Sequence, residues 1–127
     1  MDIDLPEVVA EVTAAFERYE QALVTNDVAT LDALFCDDAR TIRYGATEIL
    51  YGYDAIKAFR AGRSPAGLAR TLSKTVITTY GRDFAVASTL FHRTNAPGKV
   101  GRQTQTWVRF ADGWHVISGH VSVIEES

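Results

Sequence analysis

Apolar positions near the start of the chain recur at helical spacing, with Val8, Val12, Phe16, Tyr19 and Leu23 on one stripe and Glu11, Glu17, Arg18 and Gln21 away from it. Asp4 followed by Glu7, with Pro6 between them, is a helix-opening signature, so the spacing predicts one amphipathic helix from about Pro6 to Val24. Tyr19 falls on the apolar stripe and must look into the protein. Asn26-Asp27 offers a fresh cap for a short helix through Leu31, Leu34 and Phe35, closed by Asp37-Asp38. The two helices are expected to form a hairpin.

At Arg40 the period changes from helical to alternating. Arg40 to Tyr44 reads as a strand with Thr41 and Arg43 on one face, Gly45 allows a turn, and Ile49-Leu50-Tyr51 returns. Gly52 and Asp54 open a third helix that buries Ile56 and Phe59, carries Arg60 and Arg63 close by, and ends at Ser64-Pro65 and Gly67. Four long strand runs follow: Leu72 to Tyr80, Phe84 to Thr94, Lys99 to Phe110 and Trp114 to Ile124. The turn residues between them predict an antiparallel meander. Helices first and sheet afterwards is an α+β order, and the expected solution is a cone-shaped half-barrel, a curved antiparallel sheet wrapped around the long N-terminal helix with a pocket between them. No repeat or linker divides the chain, so residues 1–127 read as a single domain.

The Asp112-Gly113 dipeptide predicts a hairpin register. A two-residue turn there pairs Arg109 with Val116, Trp107 with Ser118, Gln105 with His120 and Gln103 with Ser122. That face has two tryptophans toward one end and Gln103, Gln105, His120 and Ser122 toward the other, which is the makeup of a binding pocket: aromatic walls with a few directed polar groups.

Charge changes this picture more than composition does. The 127 residues are 46% hydrophobic and 23% charged, a globular balance, and no apolar stretch approaches the roughly 20 residues needed to span a bilayer. An acidic start and a lone Cys36 make a cytoplasmic protein the expectation. The formal net charge of -3 conceals two opposite regions. Residues 40–109 hold twelve Lys and Arg against Glu48, Asp54 and Asp83, a surplus of nine, while the flanks carry -12. Arginine outnumbers lysine ten to three, and its planar fork suits bidentate contact with carboxylate or phosphate. An anionic partner follows, unless these arginines pair with the acidic helix.

The remaining chemistry is mostly excluded. His115 and His120 are an odd number of residues apart on one strand and should face opposite ways, leaving His92 without a partner, so no metal site is expected. Asp37 and Asp38 oppose a thiolate at Cys36. No Gly-rich phosphate loop is present, and nucleic-acid binding would rest on the basic middle alone. Asp54 reads as a cap and Asp83 as a turn residue, which leaves Glu48 as the one acid of the sheet region without a structural task. A site rich in Arg, Tyr, Gln and His but poor in bases suits decarboxylation, which needs a held carboxylate, a less polar setting for the leaving CO2 and a proton delivered to the atom it leaves.

The ordered set Arg18-Tyr19-Glu20, Asn26-Asp27, Leu34-Phe35, Thr41-Ile42-Arg43-Tyr44-Gly45, Glu48, Tyr51-Gly52, Phe59-Arg60, Arg63, Gly101-Arg102-Gln103, Gln105-Thr106-Trp107, Gly113-Trp114 and His120-Val121-Ser122 spans nearly the whole chain. With this spacing the chain resembles a small family within the nuclear transport factor 2-like, or SnoaL-like, proteins. That family includes the 1,3-dicarboxyurea decarboxylase of cyanuric acid breakdown and a protein of oxalurate catabolism. Cys36 stands where an aromatic is expected, and Ser118-Gly119 where Ala-Ala is common. The resemblance implies a homodimer, no metal or organic cofactor, and a functional pair of helix tyrosine and strand arginine that falls on Tyr19 and Arg43. The expected activity is cofactor-independent decarboxylation of a small anionic ureide or dicarboxylate, most concretely 1,3-dicarboxyurea to allophanate. Gln105 and His120 are secondary candidates, and Arg60, Arg63, Arg102 and Ser122 further substrate contacts. The rivals are an accessory anion-binding role beside an amidase in ureide breakdown, and an isomerase or hydrolase using Glu48 as base.

Overall fold

The long helix α1 spans Pro6–Val24 and places Val8, Val12, Phe16, Tyr19 and Leu23 in the interior, as its stripe requires. The computed structural model describes all of residues 1–127. Leu5, not Asp4, is the N-cap, with no side-chain capping bond. Asp4 is left-handed (φ 60°) and fastens the N-terminus to the sheet: its N–H donates to the Thr79 carbonyl at 3.0 Å, and its Oδ1 accepts from the Thr79 N–H at 2.9 Å. Helix α2, Val28–Leu34, has the expected cap, with Asp27 accepting from the Thr30 N–H (3.2 Å) and hydroxyl (2.6 Å). Short strands β1 (Ile42–Tyr44) and β2 (Ile49–Tyr51) precede α3 (Tyr53–Gly62). Gly52, with φ 91°, caps α3, and Asp54 lies within its first turn.

The long strands β3 (Thr71–Tyr80), β4 (Phe84–His92), β5 (Lys99–Phe110) and β6 (Gly113–Glu125) form the expected antiparallel meander. The six strands lie in the order β2-β1-β6-β5-β4-β3 in one curved, unclosed sheet, giving the α+β half-barrel. One pairing is parallel: β1 lies beside β6 with Arg43 opposite Gly119. No hairpin joins these two strands, so no turn chemistry dictated their relative direction.

The last hairpin departs from the expected register. Its turn is Ala111-Asp112, with Phe110 opposite Gly113, whose φ of 125° suits glycine alone. Trp107 then faces Val116, and a bulge at Ile117 shifts the pairing to Thr106 with Ser118 and Gln105 with Gly119. The expected pairs of Gln105 with His120 and Gln103 with Ser122 are therefore wrong. Because the side-chain period is two, the shift sends Ser118, His120 and Ser122 to the outer face. It also puts His115 and His120 on that same face despite their odd separation. The core fills the closed end of the cone, where Trp107, Trp114, Val116 and Ala85 meet Val12, Phe16, Leu31 and Phe35. Trp114 Nε1 donates to Glu11 of α1 at 2.9 Å, tying sheet to helix.

Candidate active site

Tyr19 lies one turn beyond Phe16, where α1 leaves the apolar core. It is 3% exposed, its ring centroid is 6.2 Å from that of Phe35, and its hydroxyl has no hydrogen-bond partner within the protein. Facing it, one row of the sheet runs Ala87, Gln105, Gly119 and Arg43 across β4, β5, β6 and β1. Small residues on both sides of Gln105 leave room in front of it. Trp107 Nε1 donates to Gln105 Oε1 at 3.2 Å, which turns the Gln105 amide N–H groups away from the core.

Three ion pairs, two of them long-range in sequence, neutralise part of the inward charge. Arg43 meets Glu48 at 2.5 Å, Arg60 meets Asp32 at 2.7 Å, and Arg70 meets Glu20 at 2.6 Å with a second contact through Nε. Glu20 and Asp32 of the acidic N-terminal flank thus fold onto the basic middle, as the alternative reading of the charge pattern anticipated, while Glu48 pairs within it. Glu48 reaches Arg43 by folding over Gly45, where a Cβ would sit 1.7 Å from its Oε1. Burial alone would push the Glu48 carboxyl up, but the Thr47 hydroxyl and Arg43 outweigh it and hold it below the usual range.

Arg63 and Arg93 have no such partner. Nε and Nη2 of Arg63 and Nε of Arg93 are buried without a hydrogen bond. Burial pushes both guanidinium groups down. At Arg63 the neighbouring Arg43 and Arg60 act in the same direction against Tyr19 and Glu48, and at Arg93 Arg70 and Arg63 act against Glu20 and Tyr19. Arg63 thus feels the charges of Arg43, Arg60 and Glu48, Arg93 feels those of Arg63, Arg70 and Glu20, and Tyr19 acts on both.

Gln103 adds a further free donor. It is 3% exposed, its Oε1 accepts from Arg70 Nη2 at 2.9 Å, and its Nε2 is buried with no partner. Phe91 supports this side, with the Arg70 and Arg93 guanidinium groups 4.6 and 4.7 Å from its ring centroid. The ring occupies the space that Gly101 leaves, since a Cβ there would lie 2.0 Å from Phe91 Cζ.

Of the residues expected at the site, Tyr19, Arg43, Arg63 and Gln105 come together on the concave face. Arg60 is buried beside them, but it is held by Asp32 and lies over Phe35 at 4.6 Å. Arg102, His120 and Ser122 do not join them. They lie on the outer face, where Arg102 Nε donates to the Ser122 hydroxyl at 3.1 Å and His120 meets the edge of Tyr44 at 5.7 Å. The bulge at Ile117 is the reason for His120 and Ser122, whereas Arg102 faces outward by the unbroken alternation of β5, opposite in parity to Gln103, Gln105 and Trp107. Sequence reasoning missed Arg93 and the donor role of Gln103. Alternation continued past Ala85, Ala87, Thr89 and Phe91 reaches Arg93, and that parity was the available signal.

The free polar groups on this face are N–H donors of Arg63, Arg93 and Gln103 and the Tyr19 hydroxyl, and the carboxylates Glu20, Asp32 and Glu48 are already engaged. Such a set can hold an anion, withdraw it from water and present a hydroxyl to it. The groove of about 280 Å³ between Cys36, Thr41, Val108, Phe110 and Ile117 is different: it is apolar, and its charged residues Asp38 and Arg40 neutralise each other at 2.8 Å.

A family model described as AtzH-like matches residues 1–127. Among solved structures, a protein of unknown function from Pectobacterium atrosepticum is 56% identical, with 98% of this chain and 96% of that one covered and a TM-score of 0.95. A cystatin-like fold protein from Burkholderia xenovorans is 45% identical over 100% and 99% of the two chains, with a TM-score of 0.96. A nuclear transport factor 2-like superfamily protein from Salmonella enterica, 23% identical over 95% and 94%, has a TM-score of 0.75 and shows the fold. No curated protein matches.

Proposed function

The chain belongs to the AtzH-like family, and from that premise we propose that it is a cofactor-independent decarboxylase of a small N-carboxylated urea, converting 1,3-dicarboxyurea to allophanate and CO2. The observation that carries the reading is the inward Tyr19 hydroxyl, free of protein partners, set among guanidinium groups whose only carboxylates are already paired.

In this reading Arg43 and Arg63 hold the carboxylate that will leave, using N–H groups that Glu48 does not occupy. The C–N bond breaks, its electron pair stays on nitrogen, and Tyr19 delivers the proton that converts this nitrogen to the NH2 of allophanate. Solvent then returns a proton to the phenol. One proton is consumed and one CO2 leaves, so the dianion becomes a monoanion. Phe35 gives the hydroxyl an apolar flank, which favours loss of a neutral product. Gln105 is the candidate donor to the central urea carbonyl.

Glu48 suits a positioning role rather than that of a general base, because Arg43 and Thr47 occupy its oxygens and lower its affinity for a proton. This disfavours the isomerase or hydrolase reading. Outward apolar residues including Val76, Phe84 and Phe110 are exposed and would be covered in the homodimer that we also propose, which solution scattering at micromolar concentration tests. The decisive experiment measures CO2 release from enzymatically generated 1,3-dicarboxyurea against an enzyme-free background. Faster release with wild type and its loss in Tyr19→Phe support the reading. Release no faster than background selects the accessory anion-binding role beside an amidase.

A further inference from the structure

We propose that Arg93 and Gln103 form a second carboxylate subsite, so that the recess selects dianions over monoanions. The inference rests on reading this face as an anion site and deepens that reading, but it does not depend on the decarboxylation step.

The first support is charge. Five arginines turn inward, namely Arg43, Arg60, Arg63, Arg70 and Arg93, against the three acids Glu20, Asp32 and Glu48 that pair with them. Two guanidinium groups are left unmatched, Arg63 and Arg93. A ligand with two negative charges balances them, whereas a single carboxylate leaves one half-buried cation without a counter-ion.

The second support is the set of unsatisfied donors. Buried N–H groups are almost always paired, yet Nε and Nη2 of Arg63, Nε of Arg93 and Nε2 of Gln103 have no partner. These belong to two neighbourhoods. Arg63 feels the charges of Arg43 and Glu48, and Arg43 stands opposite Gly119. Gln103 is bonded to Arg70, and Arg93 shares the Phe91 ring with Arg70.

The third support is rigidity. Arg70 is 2% exposed in its side chain and fixed by Glu20, and by donating to Gln103 Oε1 it commits the amide to presenting its N–H2. Gly101 admits the Phe91 ring, and Phe91 carries Arg93. No structural partner consumes the donors that this scaffold holds in place, as expected of a preorganised ligand site.

Isothermal titration with two five-carbon acids tests the proposal, because glutarate matches the chain length of a dicarboxylated urea and pentanoate lacks the second charge. Wild type is expected to bind glutarate at least about tenfold more tightly than pentanoate. Gln103→Glu is nearly isosteric and keeps an acceptor for Arg70, but replaces the free donor with an anionic oxygen. Arg93→Met keeps an aliphatic stem against Phe91. Both variants should lose the glutarate preference while pentanoate affinity changes less than about threefold, and thermal melts establish that each is folded. Equal affinity of wild type for the two acids overturns the proposal, as does equal weakening of both acids in the two variants. A glutarate preference without CO2 release upholds the subsite and removes the decarboxylase reading. CO2 release without a glutarate preference overturns the subsite and leaves the decarboxylase reading intact.

Discussion

The two ends of the concave face are built from the same helix and the same strands, yet they follow opposite rules. At the closed end, Val12 and Phe16 of α1 meet Trp107 and Val116, and Trp114 Nε1 finds a partner in Glu11, the buried Thr79 hydroxyl being the one polar atom of that row left without one. One turn further along α1, and two residues further along β5, Tyr19 and Gln105 replace the aliphatic side chains, and donors accumulate without acceptors. The closed end supplies stability, since burial of each large apolar side chain contributes about 1.5–3 kcal/mol. The open end gives some of this up. Unpaired buried donors cost about 1–3 kcal/mol each, a cost that a bound anion removes. The comparison teaches that the apolar end acts as the rigid mount for a face rich in unpaired donors, which in the proposed reading an anion completes.

Substitutions should separate the two ends. Trp107→Ala, at a fully buried position, should cost about 3–5 kcal/mol in urea denaturation, the largest stability loss expected here. Arg43→Ala should lower anion affinity and turnover by about 2–5 kcal/mol, part of which reflects the Glu48 charge left buried and alone. Wild-type affinity in this variant, read by titration, would remove Arg43 from the site. Tyr19→Phe keeps the ring against Phe35 and should reduce kcat about 10²-fold with KM and melting temperature nearly unchanged. An unimpaired enzyme would show Tyr19 to be packing alone and leave Arg43 as the principal contact.

Gly101→Ala couples the ends more gently. It forces the Phe91 ring aside, should cost about 1–3 kcal/mol in stability, and should disturb Arg93 more than Arg43. The smallest effect concerns pH. Glu48 has its folded-state value below that of the unfolded chain, so its contribution is fully present above about pH 4.5 and fades as pH falls through the lowered value, where the unfolded state binds the extra proton. Glu48→Gln should flatten that acid limb in denaturation midpoints taken across the window. An unchanged limb would assign it to exposed carboxylates such as Asp27 and Asp112, which hydrogen bonds hold low in the same direction.

Much of this architecture was legible before folding. The period of α1 specified which way Tyr19 faces, because a helix cannot rotate one residue out of a continuous apolar stripe without exposing the rest. Alternation along the last four runs specified the meander, since side chains two apart share a face and turn residues delimit each strand. The charge pattern pointed to an anionic partner, which stands as a proposal, and the resemblance in spacing brought Tyr19 and Arg43 forward as a pair. What it could not show was the direction of the parallel β1–β6 contact, which no local turn encodes.

The outer-face positions of His120 and Ser122 hang on the bulge at Ile117, whereas that of Arg102 follows from the alternation of β5 itself. A bulge is a property of the pairing partner as much as of the strand, so one residue of slip turned two expected ligands away from the recess. Ion pairing was decided in the same way. Nothing local distinguishes Arg60 and Arg70, which meet Asp32 and Glu20, from Arg63 and Arg93, which meet no acid. The sequence by itself determined the elements, the inward face of α1 and the surplus of arginine, because those depend on neighbours along the chain. Only the tertiary structure decided which arginines stay unpaired, because a charge is neutralised by whatever lies within a few ångströms, and that distance is set by how strands and helices from opposite ends of the chain come together.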